Sequence, residues 1–122
     1  MKTKTAKIWL REDGIIHLKA TAEFGSLECA KENVAALITV SQGKKRPAIL
    51  NISSAKSLSR EERAYYSSEE SAKALSAAGL IINSPITRVL GNFFVGLNKT
   101  PYPLQLFTNE EKAIPWLKGF IE

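Results

Sequence analysis

Apolar and polar positions alternate along Lys7-Ile8-Trp9-Leu10-Arg11-Glu12 and again along Ile15-Ile16-His17-Leu18-Lys19, with Asp13-Gly14 between the two runs. A period of two marks half-buried strands. Asp-Gly is favoured in two-residue hairpin loops because both central positions take positive φ, so two antiparallel strands open the fold, with His17 on the surface of the second. At Leu27 the period changes. Leu27, Ala30, Val34, Leu37 and Ile38 recur at helical spacing, with Ser26 placed as N-cap and Gly43 as the stop. Pro47-Ala48-Ile49-Leu50-Asn51-Ile52 is nearly continuous in apolar residues, which suits a central strand covered on both faces, with Pro47 at its first position.

Ser59-Arg60-Glu61-Glu62 has the spacing of a capping box and predicts a helix from Arg60 through Tyr65, Ser68, Ala72 and Leu75. Ala78-Gly79-Leu80-Ile81-Ile82-Asn83 then reads as a second buried strand. Ser84-Pro85 opens a helix over residues 85–97 whose apolar positions include Val89, Phe93, Phe94 and Leu97. Leu104-Gln105-Leu106-Phe107 forms a short last strand. Thr108-Asn109-Glu110-Glu111 repeats the capping-box spacing before a helix carrying Ala113, Ile114, Leu117, Phe120 and Ile121. Pro115 lacks the NH that would bond the Glu111 carbonyl, which predicts a kink or a break. The order β-β-α-β-α-β-α-β-α describes an α/β domain: a single-layer mixed sheet of about five strands, an antiparallel hairpin followed by parallel strands, with about four helices.

Composition narrows the class. A chain of 122 residues with 44% apolar and 24% charged residues has the size and balance of one globular domain. Its longest apolar runs, such as Ala77-Ala78-Gly79-Leu80-Ile81-Ile82, fall far short of the roughly 20 residues that span a bilayer, so a cytoplasmic protein without membrane association is expected. Cys29 is the single cysteine, cannot form an intrachain disulfide, and reads as helix packing in a reducing compartment. The net charge of +5 gathers at Lys2, Lys4 and Lys7 and at Lys44-Lys45-Arg46, without interleaved aromatic residues, so no nucleic-acid partner is expected. With one His and one Cys, neither a metal site nor a cofactor is expected. The chain has no Gly-rich phosphate loop and no G-x-S-x-G element, and its carboxylate pairs Glu61-Glu62 and Glu69-Glu70 read as solvated helix faces, so no catalytic residue is assigned.

The stretch Ala48-Ile49-Leu50-Asn51-Ile52-Ser53, leading through a serine-rich loop into Ser57-Leu58-Ser59-Arg60-Glu61-Glu62-Arg63-Ala64-Tyr65-Tyr66, resembles the STAS domain of anti-sigma-factor antagonists. Together with Ser84-Pro85-Ile86-Thr87-Arg88-Val89-Leu90-Gly91-Asn92-Phe93-Phe94 and Trp116-Leu117-Lys118-Gly119-Phe120, it is also similar to small bacterial STAS- and Sec14-like proteins of uncharacterised function. The likeness spans residues 27–120. It implies one STAS-like domain over residues 1–122, helices packed mainly on one face of a mixed sheet, and a non-catalytic regulatory or protein-interaction role. In the regulatory branch a serine at the start of the helix after the central strand is phosphorylated. Here Arg60 stands at that position and Ser59 where an Asp is usual, so this chain departs from the phosphoswitch pattern. Ser59 is a candidate phosphate acceptor, since a dianion is favoured at a helix N-terminus, and equally a plain helix cap.

Ligands of open α/β sheets gather at the carboxyl ends of central strands, which here carry Asn51, Ser53 and Ser54 from one strand and Asn83 and Ser84 from the next. Ser57 and Ser59 extend this candidate surface along the loop. The apolar helix over residues 85–97, with Phe93 and Phe94, is read as a homodimer interface, the wall of an apolar pocket or a helix simply buried within the domain, and Arg88 and Asn92 as a polar rim on one of its faces or as solvent-exposed residues. Tyr65, Tyr66 and Tyr102 are available to either. Two functional readings follow: a module that docks a protein partner or a second copy of itself through residues 53–59 and the next helix, or a binder of a small apolar or lipid-like ligand between the helix over residues 85–97 and the sheet.

Overall fold

The computed structural model describes residues 1–85, 87–89 and 100–121. Five strands, β1 (Ala6–Leu10), β2 (Ile16–Ala20), β3 (Arg46–Asn51), β4 (Leu75–Ile81) and β5 (Leu104–Phe107), form one sheet in the order β1-β2-β3-β4-β5. β1 and β2 are antiparallel and every later pairing is parallel, so the predicted mixed α/β sheet is what forms. The apolar runs of β3 and β4 lie side by side inside it, Ala48 opposite Ala78 and Leu50 opposite Leu80. The helices are α1 (Leu27–Ser41), α2 (Arg60–Tyr66), α3 (Glu69–Ala72) and α4 (Glu110–Lys118). Of the helix expected over residues 85–97, Pro85 and Thr87 to Val89 are helical, and Asn92, Phe93 and Phe94 lie outside the described residues.

Strand alternation divides the core in two. Ile8, Ile16, Leu18, Ala48 and Ala78 pack with Leu37 of α1 and Ala72 of α3. On the opposite face Ile49, Ala77 and Ile81 pack beneath Ala113 and Leu117 of α4. α2 packs on α1 and α3, so among the described helices α1, α2 and α3 share one face and α4 takes the other. Gly79 allows α4 to come close, because a Cβ there would stand 3.2 Å from the Ala113 Cβ and 3.3 Å from the Phe107 ring.

Four local expectations are corrected. The hairpin loop contains Glu12, Asp13 and Gly14 rather than two residues: Arg11 N bonds Ile15 O at 2.9 Å and Gly14 N bonds Arg11 O at 3.1 Å. Only Gly14 has positive φ, at 87°, the arrangement of a three-residue loop closed by a left-handed glycine. The helix from Arg60 does not reach Leu75. It stops at Tyr66, where Ser68 adopts extended backbone and its hydroxyl donates to Tyr65 O at 2.6 Å, the kind of side-chain bond that competes with helix continuation. Leu75 instead begins β4, held by its register against Arg46. The last helix is capped by Asn109, whose Oδ1 accepts from Lys112 N at 2.9 Å, and not by Thr108. α4 also runs unbroken through Pro115. Pro115 and Glu111 are both exposed, so the carbonyl deprived of its donor faces water.

Candidate functional site

At the carboxyl end of β3 successive residues serve opposite faces of the sheet. Asn51 points to the α4 side, where its Nδ2 donates to Glu110 Oε2 at 2.6 Å. Asn51 Oδ1 accepts from Ser53 N at 3.0 Å and from the Ser53 hydroxyl, and Ser53 Oγ in turn accepts from Asn83 Nδ2 at 2.9 Å. Glu110 is the first residue of α4, where the helix dipole favours a carboxylate. The chain of bonds therefore ties the ends of β3 and β4 to the start of α4.

His17 joins the same network from β2. It is buried, 7% exposed, not on the strand surface as expected, and its Nε2 lies 3.0 Å from Glu110 Oε2. Its ring stacks on Trp9 across the hairpin at a centroid distance of 4.3 Å. Burial lowers the imidazole pKa below its ordinary 6.5, against the opposing pull of Glu110. Near neutral pH the contact is thus a hydrogen bond from neutral Nε2–H to a carboxylate rather than an ion pair.

Leu50 and Ile52, the neighbours of Asn51, point to the other face and line a cavity of about 80 Å3 beneath α1 and α2. That is several times the space one water occupies. Leu18, Leu37, Leu80 and Leu104 contribute further apolar walls, and Phe24, 63% exposed, lies at the mouth. Lys56 N donates to Glu23 O at 2.8 Å and Lys56 Nζ pairs with Glu23 at 3.3 Å, stitching together the two loops that border this opening.

Asn33 of α1 and Glu62 and Tyr66 of α2 bring polar groups to the cavity, with Thr5, Glu23, Ser57 and Ser71 also in its wall. Glu62, expected on a solvated face, is 5% exposed. Its Oε1 accepts from Ser59 N and its own NH donates to Ser59 Oγ, both at 3.1 Å, which completes the predicted capping box and draws the side chain inward. Asn33 donates to Thr5 Oγ1 and to Tyr66 Oη, each at 2.9 Å, while its Oδ1 takes the Thr3 hydroxyl. Burial pushes the Tyr66 hydroxyl up to about 12, the Asn33 bond opposing and Glu62 and Cys29 adding, so Tyr66 remains a neutral donor. Tyr102 is raised by burial as well and donates to Tyr66 O at 2.8 Å.

Of the residues singled out in the sequence, Asn51, Ser53 and Asn83 come together, and Ser57 lines the cavity on the opposite face. Ser54 and Ser59 are exposed, Ser59 as the cap of α2. Ser84 caps the next helical turn by accepting from Thr87 N at 3.1 Å, and Arg88 is exposed. Asn33 and Glu110 were not singled out as site residues in the sequence, and His17 and Glu62 were expected on solvated surfaces but are buried. The capping-box spacing of Glu62 was the one signal that fixed a side-chain direction. The described part of the cavity wall comes from the sheet, α1, α2, Ser71 of α3 and the loops around Phe24 and Leu58, whereas the sequence pointed to the helix over residues 85–97.

A family model described as "Domain of unknown function (DUF7793)" matches residues 8–121. The chain belongs to the DUF7793 family. No curated protein matches this DUF7793 member. Among solved structures it is similar to an uncharacterized protein of the DUF3478 family, with a SpoIIAA-like fold, from Shewanella loihica PV-4: 18% identity over 96% of this chain and 98% of that one, TM-score 0.57. That likeness shows a SpoIIAA-like, hence STAS-like, fold and covers nearly the whole chain. A protein with unknown function from Arthrobacter sp. FB24 matches at 23% identity over 96% of this chain and 95% of that one, with a TM-score of 0.36. Among the described residues no helix is long and apolar enough to cross a membrane, and no group of His, Cys, Asp and Glu is arranged to hold a metal ion.

Proposed function

We propose that this STAS-like chain is a non-catalytic cytoplasmic binding module whose ligand is a small, largely apolar molecule held between α1, α2 and the sheet. One observation carries the reading: an apolar cavity of about 80 Å3 at the carboxyl ends of β2 and β3, with Glu62 and Tyr66 presenting polar groups to it. Apolar walls with a few convergent polar groups are the usual constitution of a small-molecule site. The polar network on the opposite face supports a structural role for itself, since Asn51, Ser53, Asn83 and Glu110 are bonded to one another. Native mass spectrometry of gently purified protein is expected to show a bound small molecule, or uptake of added benzyl alcohol, and a cavity-filling Leu80→Phe variant should lose it. A wild-type chain that stays empty, with no shift of its Leu50 and Ile52 methyl signals on titration with benzyl alcohol, benzylamine or benzoate, overturns the reading.

A second reading, docking of a protein partner or a second copy through residues 53–59 and α2, is favoured by Phe24. This exposed aromatic side chain sits beside that loop, as an interface anchor would. Light scattering should then report a symmetric dimer or a defined complex that Phe24→Ser weakens; a strict monomer without a partner ends it.

A further inference from the structure

We propose that Glu62 makes the cavity selective for a protonated amine carried on a small apolar body. The inference rests on the ligand-cavity reading above and adds the chemical class of the ligand. Glu62 is a carboxylate within apolar walls, 5% exposed, and it forms no ion pair with any described residue. A buried charge without a partner is costly. The capping bond uses Oε1, and Oε2 lies beside Gly25, 3.2 Å from where a Cβ would stand, at the wall of the cavity.

Tyr66 follows Glu62 by one helical turn and lines the same cavity. Its Oη already accepts from Asn33 Nδ2, and Asn33 is committed on every polar atom to Thr3, Thr5 and Tyr66. Glu62 therefore offers an acceptor and a negative charge in a space whose walls are mostly leucine, isoleucine and alanine, and the other carboxylate of the lining, Glu23, is already paired with Lys56. An ammonium group supplies the missing positive charge and the donor at once, and its apolar body fills the remaining volume. A neutral alcohol supplies only the donor, and a carboxylate brings like charge.

The test uses benzylamine, benzyl alcohol and benzoate as probes of one shape, titrated into the full chain and followed by NMR shifts of the cavity residues. Benzylamine should bind about ten-fold or more tightly than benzyl alcohol, as a charge-assisted bond does relative to a neutral one, with benzoate weakest. Glu62→Gln retains the capping box, because Gln accepts from the cap NH as Glu does, and should bring the amine and the alcohol to similar affinity. Equal binding of amine and alcohol to the wild-type chain, or an amine preference that persists in Glu62→Gln, overturns this inference and leaves the cavity reading standing. Failure of all three probes to bind overturns both. The wild-type ranking needs no variant to fold, and circular dichroism of Glu62→Gln checks that its α2 is intact.

Discussion

The Asn51 amide, at the end of the central strand, donates to the Glu110 carboxylate at 2.6 Å across 59 residues of sequence. Since His17 meets the same oxygen at 3.0 Å, one carboxylate at the start of α4 holds two parallel strands in position. Glu110→Ala should lower stability by about 1–3 kcal/mol, because it leaves the buried His17 and the half-buried Asn51 amide without their acceptor. In a double-mutant cycle with Asn51→Ala, the pair should show a coupling of about 0.5–3 kcal/mol by urea unfolding. Additive losses would mean that the bond contributes nothing.

His17 predicts a pH dependence. Its folded pKa lies below the ordinary 6.5, so between the two values the unfolded chain binds the proton more readily than the folded one. The contribution of neutral His17 is complete above the unfolded pKa and is lost as pH falls from about 6.5 through the folded value. Wild type should therefore lose stability relative to His17→Gln on acidification from pH 7.5. As the chain has a single histidine, its NMR titration is direct, and a midpoint at or above 6.5 would contradict the assignment.

Ser59 caps α2 through the Glu62 NH. Ser59→Ala should cost about 1 kcal/mol, and Ser59→Asp should recover most of it. Thermal melts of both variants decide whether the cap accounts for this residue; an Ala variant as stable as wild type would turn attention back to phosphate acceptance.

Gly79→Ala introduces a methyl 3.2 Å from Ala113 and 3.3 Å from Phe107, on the buried α4 face. Overpacking of this kind should cost on the order of 1–3 kcal/mol, visible as a lower urea midpoint. An unchanged midpoint would show that α4 can move outward freely.

Strand and helix positions were legible because each depends on a period of two or of about 3.6 within a short window, and both core strands emerged where their apolar runs lie. Asn51, Ser53 and Asn83 were legible as strand-end polar residues for the same reason. Errors arose where one residue decided the outcome against its neighbours: Ser68 ended a helix whose apolar spacing continued, and Asn109 capped a helix one residue later than the pattern T-x-x-E suggested. His17 looked like a surface residue because its strand alternates in the ordinary way. Its burial depends on Trp9 and on Glu110, the latter 93 residues away.

By itself the sequence determined the succession of five strands, the antiparallel opening, the two inner strands and the capping box at Ser59, since these follow from local spacing and backbone preference. Tertiary structure alone decided that β3 would divide its end between a polar network on one face and an apolar cavity on the other. It also decided that Glu62 would be drawn under α1 and α2 instead of standing in water. The physical reason is that burial and pairing are set by which distant elements pack together, and spacing along one chain carries no record of the partner across the sheet.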